Sequence, residues 1–224
     1  MSQNRRHSAE MGPHASRMGT ARLYLVTPPL GEAGAIADDS MASDLADALN
    51  TADIAAVLVR LEDGDEAALL ERVKTLRILI QSNGAALLLD GHAGLVARAE
   101  CDGVHLTGTD ALKAAAPGLK PKYIAGCGGL GTRHDAMLAG ESGADYVMFG
   151  EPNGRRPSFD AVIERVAWWT EIFQVPCVGY AANVDEVEAL ARAGAEFVAV
   201  DEAVWRSPAS LRAAAERLAA ELVR

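Results

Sequence analysis

Two aspartates lie where apolar, strand-like runs of the sequence end. Asp90 closes the run 87–89, and Asp110 follows the run 103–106 after a short loop. If neighbouring loops bring the two carboxylates together, they would suit a hard cation such as Mg²⁺, which takes one or two protein carboxylates and keeps water and phosphate oxygens as further ligands. The alternative is structural, because Asp110 could cap the helix that follows it and Asp90 could cap the next turn. The residues alone leave both interpretations open.

A histidine and a glycine-rich loop are further candidates for chemistry. His105 alternates with Val104, so it points into the interior of a barrel if Val104 faces the helices. A neutral imidazole there could shuttle a proton or simply fill a layer of the interior. The loop 126–132 includes Gly128 and Gly129. Its backbone N–H groups could form a nest for an anion, or the loop could be only a flexible turn.

These residues need a scaffold that gathers the ends of many strands. From Arg22 onward, apolar runs of strand length alternate with segments of helical period. The predicted strands span 22–27, 54–61, 85–90, 103–106, 122–127, 145–150, 176–180 and 197–201. Strands that are apolar throughout need cover on both faces, and about eight of them close a parallel barrel. We therefore favour a TIM (β/α)8 barrel over an open doubly wound sheet, with a helix after each strand.

One local pattern recurs three times along the chain. A helix-like stretch runs into a small residue, then an acid, then an apolar run, and the acids are Asp102, Asp145 and Glu196. A small residue at a helix end lets the chain reverse within a few residues, most easily where a glycine takes a positive φ. The repeat predicts successive βα units.

Composition limits the class of protein. The chain has 224 residues, of which 50% are apolar and 23% charged, so it can bury one large core. We predict a single barrel domain over 21–224, after a disordered tail over 1–20. The net charge of −10 comes without a basic stripe, which argues against nucleic acid. No run approaches the roughly 20 apolar residues of a membrane span, and the three separated cysteines fit reduced thiols in a cytoplasmic protein.

Five segments together resemble the thiamine phosphate synthase family, which includes thiazole tautomerases. They are RLYLVT at 22–27, LVR at 58–60, LLD at 88–90, DGVHL at 102–106 and GADYVMFG at 143–150. The resemblance implies a barrel enzyme that joins an aminopyrimidine methyl diphosphate to a thiazole phosphate and releases diphosphate with Mg²⁺ bound. It implies that Asp90 and Asp110 are the metal-associated acids and that Arg60 contacts diphosphate. The expected partners are these small phosphorylated molecules, and a homodimer is left open.

The chain departs from the family pattern around the diphosphate. Leu58 replaces a glutamine, Glu62 replaces a lysine and Leu89 replaces an asparagine. The family's Thr-Lys motif is replaced by the loop 151–157, in which Arg155 and Arg156 could stand in for the lysine.

The phosphate-binding end departs as well. Of the usual Gly-Gly pair after the seventh strand only Gly179 is present, and Asp201 and Glu202 stand where the family carries serine. His134 lies near the place of a tautomerase's acid-base histidine. The sequence therefore predicts a divergent thiamine phosphate synthase. The alternatives are a catalytically silent ligand-binding homologue and a thiazole tautomerase.

Overall fold

Eight parallel strands close into a barrel in chain order, with β1 hydrogen-bonded to both β2 and β8. The computed structural model describes residues 21–30, 35–62, 64–151 and 157–220. The strands are β1 (Arg22–Val26), β2 (Ile54–Val59), β3 (Ala86–Asp90), β4 (Gly103–Thr107), β5 (Ile124–Gly128), β6 (Tyr146–Phe149), β7 (Cys177–Ala181) and β8 (Phe197–Val200). Each predicted strand overlaps one of these, and the TIM barrel is confirmed.

Helices cover the outside of the barrel. They are α1 (Ala35–Thr51), α2 (Glu66–Ser82), α3 (Thr109–Leu119), α4 (Arg133–Glu141), α5 (Phe159–Ile172), α6 (Val184–Arg192), α7 (Glu202–Trp205) and α8 (Pro208–Ala220). The α2 helix buries Leu69, Val73, Leu76 and Ile80, the stripe that its helical period predicts. Each such side chain contributes about 1.5–3 kcal/mol by leaving water.

The connection from β3 to β4 differs from the prediction that a helix follows every strand. It contains only the short 3₁₀ turn Ala93–Leu95, with His92 in the position before it. Gly91 and Glu100 flank this segment with positive φ values of 75° and 55°. Within the segment the N–H of Ala99 donates to the carbonyl of Leu95 at 2.8 Å and that of Cys101 to the carbonyl of Val96 at 3.0 Å, so the chain turns toward β4 without a regular α-helix.

The barrel encloses a core of its own, separate from the layer between strands and helices. It consists of Tyr24, Val26, Ala56, Leu58, Leu88, Tyr146, Met148, Val178, Tyr180 and Ala199. Two tyrosines from opposite sides, Tyr24 and Tyr146, are buried in this interior. The barrel is therefore filled by side chains, and its chemistry is confined to its ends.

The three recurrent acids share one role at the amino ends of the strands. Asp102 accepts a hydrogen bond from the backbone N–H of Leu87 at 2.7 Å, and Asp145 accepts one from Ala125 at 2.7 Å. Glu196 accepts the N–H of Cys177 at 2.9 Å. Each acid thus precedes an even-numbered strand and binds the start of the odd-numbered strand before it. We call these three contacts the strand latches.

Within the described part of the chain, no helix combines the length and the apolar character that crossing a membrane requires.

Candidate active site at the barrel mouth

The carboxyl ends of the strands surround a pocket, which we call the mouth. It is lined by Val26, Leu58, Arg60, Asp90, His105, Thr107, Met148, Glu151 and Tyr180. Its floor is apolar, because Val26, Leu58 and Met148 belong to the barrel core. The polar side chains come from residues at or just beyond strand ends, where βα loops of barrels carry catalytic groups.

Arg60 and Asp90 form an ion pair across the mouth. The Nε atom of Arg60 lies 3.5 Å from Oδ2 of Asp90, and each side chain is about one third exposed, at 38% and 32%. Burial raises the pKa of Asp90, while the charges of Arg60 and His92 oppose that rise. Two of the predicted site residues are therefore brought together, with the carboxylate held where an added cation would stabilise it.

Asp110 lies in a different setting. It is an exposed residue of the first turn of α3, and it does not line the mouth. Its suggested role as a helix cap is wrong, because the helix begins at Thr109 and the residue before it is Gly108, with φ 84°. Asp90 does not cap a helix either, since the following turn has His92 in the cap position. The structural alternative to metal binding is thus weakened for both aspartates.

His105 ends a buried chain of hydrogen bonds. Its Nδ1 atom lies 2.9 Å from the hydroxyl of Tyr146, whose oxygen lies 2.9 Å from the hydroxyl of Tyr24. The imidazole also stacks on the Tyr146 ring, with centroids 5.7 Å apart. As expected, His105 faces the interior, and its side chain reaches the mouth.

The chain of hydrogen bonds selects one tautomer of His105. Among the described residues, the Tyr24 hydroxyl has the Tyr146 hydroxyl as its hydrogen-bond partner. If Tyr24 donates to Tyr146 and Tyr146 donates to Nδ1 of His105, every hydroxyl proton in the chain is satisfied. The reverse direction would leave the buried Tyr24 proton without an acceptor, which costs about 1–3 kcal/mol. The imidazole therefore carries its proton on Nε2, at the mouth.

Acid should destabilise the protein through His105. Burial lowers the pKa of His105 to about 4, whereas the unfolded chain titrates near 6.5. The neutral imidazole thus stabilises the fold above pH 6.5, and this contribution is lost as the pH falls through 4. We expect a loss of roughly 3 kcal/mol of unfolding free energy between pH 6.5 and 4 relative to His105→Phe. Urea unfolding of both proteins at several pH values measures it.

The comparison with His105→Phe isolates the contribution of His105 to the pH dependence of the unfolding free energy. Burial raises the pKa values of Asp90 and Glu151 as well, but those carboxyls act in the opposite sense and are present in both proteins. Parallel pH profiles of the two proteins would contradict a neutral buried His105.

Glu151 is a mouth residue that the sequence analysis did not select. Its carboxylate accepts a hydrogen bond from the backbone N–H of Gly129. Burial raises the pKa of Glu151, the Gly129 bond opposes the rise, and the charge of Asp90 adds to it. A signal was present, since Glu151 comes two residues after the end of β6, much as Arg60 follows β2 and Asp90 ends β3.

Gly128 is needed where the β5 strand meets this carboxylate. A Cβ atom on Gly128 would lie 2.0 Å from Oε1 of Glu151 and 2.6 Å from Nε2 of His105. Both polar atoms therefore converge over the same point of the backbone. In the loop predicted to form an anion nest, the N–H of Gly129 donates to a carboxylate that belongs to the chain itself.

Two further loops bind the chain's own acids. The N–H of Ala182, after β7, donates to Glu186 at 2.7 Å. The N–H of Ala203, at the start of α7, donates to Asp201 at 3.1 Å, and Asp201 also accepts the Tyr180 hydroxyl at 2.9 Å. Because these N–H groups are the ones that would face a phosphate, an anion would have to compete with internal carboxylates.

The remaining predicted residues lie elsewhere. Gly179 faces outward, where an added Cβ would lie 2.6 Å from Leu190 of α6, so it allows close packing of helix on strand. His134 is an exposed residue in the first turn of α4 and does not line the mouth. Arg155, Arg156 and the tail 1–20 lie outside the described residues.

Residues of the mouth could hold a metal ion only with help from other ligands. In the described ranges, no group of three or more His, Cys, Asp or Glu side chains is placed to bind a metal. Asp90 and Glu151 both line the mouth. The charge of Asp90 raises the pKa of Glu151, and the charges of both acids raise the pKa of Tyr146. The Asp90 carboxylate fits Mg²⁺, which keeps several waters and binds substrate phosphates alongside one or two acids.

Known proteins are similar to this chain in sequence and in fold. The family model for Thiamine monophosphate synthase matches residues 23–204. The chain is 40% identical over 202 residues to a thiamine-phosphate synthase of Rhodospirillum centenum, covering 88% of this chain and 95% of the relative. It is 34% identical over 194 residues to one of Hyphomonas neptunium, covering 82% and 86%. A solved structure of thiamine phosphate pyrophosphorylase from Pyrococcus furiosus superposes with a TM-score of 0.75 at 20% identity, covering 91% and 98%.

Proposed function

Because this chain belongs to the thiamine monophosphate synthase family, we propose that it joins an aminopyrimidine methyl diphosphate to a thiazole phosphate and releases diphosphate. The observation that carries the proposal is the Arg60–Asp90 pair at the mouth. In this proposal Arg60 is the cation that binds diphosphate and Asp90 is the carboxylate that binds the metal ion.

We assign Mg²⁺ to Asp90, with Asp110 as the second acid that the family resemblance implies. The burial that raises the pKa of Asp90 supports this assignment, because a bound cation would offset it. When bound, Mg²⁺ supplies positive charge that stabilises diphosphate as it leaves.

The chain's own residues bind and orient the substrates. Arg60 is the cation among the described lining residues, and it donates hydrogen bonds to the diphosphate oxygens as the carbon–oxygen bond breaks. Val26, Leu58 and Met148 provide an apolar floor on which the pyrimidine ring lies. The thiazole nitrogen then bonds to the exposed methylene carbon, so no protein nucleophile is needed.

Replacing Arg60 tests this assignment. Arg60→Ala should lower kcat/KM for the pyrimidine diphosphate about 100-fold, since one preorganised donor to a developing anion is worth that much or more. Arg60→Lys should retain part of the activity, because it keeps the charge but loses the fork of donors. The measurement is formation of thiamine phosphate, with released diphosphate followed in parallel and Mg²⁺ varied.

The KM for thiazole phosphate serves as the internal control and should not change in either variant. Wild-type kinetics in Arg60→Ala would remove Arg60 from the site.

A second candidate function is binding of these ligands without turnover. The observation in its favour is that loops after β5, β7 and β8 already bind Glu151, Glu186 and Asp201 through their N–H groups. Calorimetry with thiazole phosphate and the pyrimidine diphosphate distinguishes the two, since tight binding with no product supports the second. A cytoplasmic location and a homodimer stay predictions.

A further inference from the structure

A hydrogen-bond donor and an acceptor lie side by side at the mouth. The donor is Nε2–H of His105, fixed by the chain through Tyr146 to Tyr24. The acceptor is the carboxylate of Glu151, held in place by the N–H of Gly129. Oε1 of Glu151 and Nε2 of His105 both lie next to Gly128, where a Cβ atom would overlap them. Because both are anchored from behind, their order and spacing are set before a ligand arrives.

Two neighbouring polar side chains have partners within the protein. Arg60 pairs with Asp90, and the Tyr180 hydroxyl donates to Asp201. Leu58 contributes only apolar surface to the floor. The His105–Glu151 pair presents a fixed donor beside a fixed acceptor, which is complementary to a ring edge that offers one acceptor and one donor.

An aminopyrimidine has such an edge. Its ring nitrogen accepts one hydrogen bond, and the amino group on the adjacent carbon donates another. We propose that Glu151 and His105 are the specificity-determining residues for the aminopyrimidine, with His105 Nε2–H donating to the ring nitrogen and Glu151 accepting from the amino group. This inference rests on the proposed function for its choice of substrate.

The geometry also orients the rest of the substrate. With its edge on His105 and Glu151 and its face on Met148 and Leu58, the ring lies within the same mouth that Arg60 and Asp90 line. The diphosphate arm can then reach the ion pair without a change in the ring's position. Recognition of the ring and of the leaving group thus use different side chains, and they can be tested separately.

Binding of two pyrimidines tests the proposal without turnover. One is the aminopyrimidine methyl alcohol, and the other is the same molecule with hydrogen in place of the amino group. By calorimetry we expect the wild type to bind the amino form about 10-fold tighter or more, since a site built for an N–H group rejects a ligand that lacks it. Glu151→Ala should remove this preference, and Glu151→Gln should keep part of it, because a carboxamide oxygen also accepts.

Glu62→Ala is the matched control. It removes an equal charge from an exposed position that does not line the mouth, and it should keep the full preference. A preference that is unchanged in Glu151→Ala, or absent in the wild type, overturns the inference. His105→Phe should weaken both ligands by a similar factor, because both carry the ring nitrogen, and selective weakening of the amino form alone would also count against it.

The outcome is distinguishable from failure of the proposed function. Selective binding that depends on Glu151, with no thiamine phosphate formed, would retain the inference and reject the synthase. If thiamine phosphate forms but Glu151→Ala binds the amino form with an unchanged preference, the synthase is retained and the inference is rejected.

Discussion

Asp90→Ala should nearly abolish metal-dependent turnover, with a loss in kcat of about 1000-fold, because charge stabilisation of the leaving group is the main contribution a protein makes to this kind of reaction. The KM for the pyrimidine diphosphate should stay level or fall. Nε of Arg60 lies 3.5 Å from Oδ2 of Asp90 in the ion pair. Without the carboxylate, the guanidinium of Arg60 no longer pairs within the protein and can bind the diphosphate more strongly. A fall in kcat without a rise in KM is therefore the expected signature, measured by steady-state kinetics across a Mg²⁺ titration.

Asp90→Asn is the matched variant. It preserves the size of the side chain and an oxygen for Arg60, but it removes the negative charge, so it should lose nearly as much activity as Asp90→Ala. Asp110→Ala, at the exposed start of α3, tests the second predicted acid. Turnover in Asp90→Ala equal to that of the wild type would reject a metal role for Asp90.

Trp169→Ala should cost about 3–5 kcal/mol of unfolding free energy, the usual penalty for deleting a large buried side chain. The Trp169 ring is fully buried, stacks on Phe173 with centroids 4.1 Å apart and meets Phe149 edge-on at 6.0 Å. Its Nε1–H donates to the carbonyl of Val175 at 2.7 Å, and that carbonyl would lose its partner. Since whole domains are stable by only about 5–15 kcal/mol, urea unfolding should show a large shift in midpoint.

The adjacent residue is a natural control. Trp168 is only partly buried, on the outer side of α5, so Trp168→Ala should cost less than half as much. Equal losses in the two variants would contradict the assignment of the Trp169 ring to the core and the Trp168 ring to the surface.

Much of the scaffold could be predicted because local patterns carry it. Apolar runs of strand length, separated by helical stripes such as Leu69 to Ile80, are sufficient to indicate eight βα units. The rule that chemistry gathers at strand ends selected Asp90, and the family resemblance selected Arg60, which the structure pairs with it. His105 could be assigned to the interior by simple alternation with Val104.

The rest depends on contacts between segments distant in sequence. Capture of the Gly129 N–H by Glu151 joins two residues 22 positions apart, and no local pattern encodes it. The hydrogen-bond chain that fixes the His105 tautomer requires Tyr146 and Tyr24 from two other strands. The outward orientation of Gly179 depends on how closely α6 packs. Strand register and loop geometry, rather than residue type, determine these contacts and orientations.

The strand latches affect how freely this molecule can change over evolutionary time. Asp102, Asp145 and Glu196 fix neighbouring strands at the amino ends, on the far side of the barrel from Glu151 and Leu58. A substitution at the mouth leaves these contacts intact, so the amino ends of the strands stay joined whatever happens to ligand recognition. A lineage with such a barrel can exchange substrate contacts at one end while the other end keeps the strands in register.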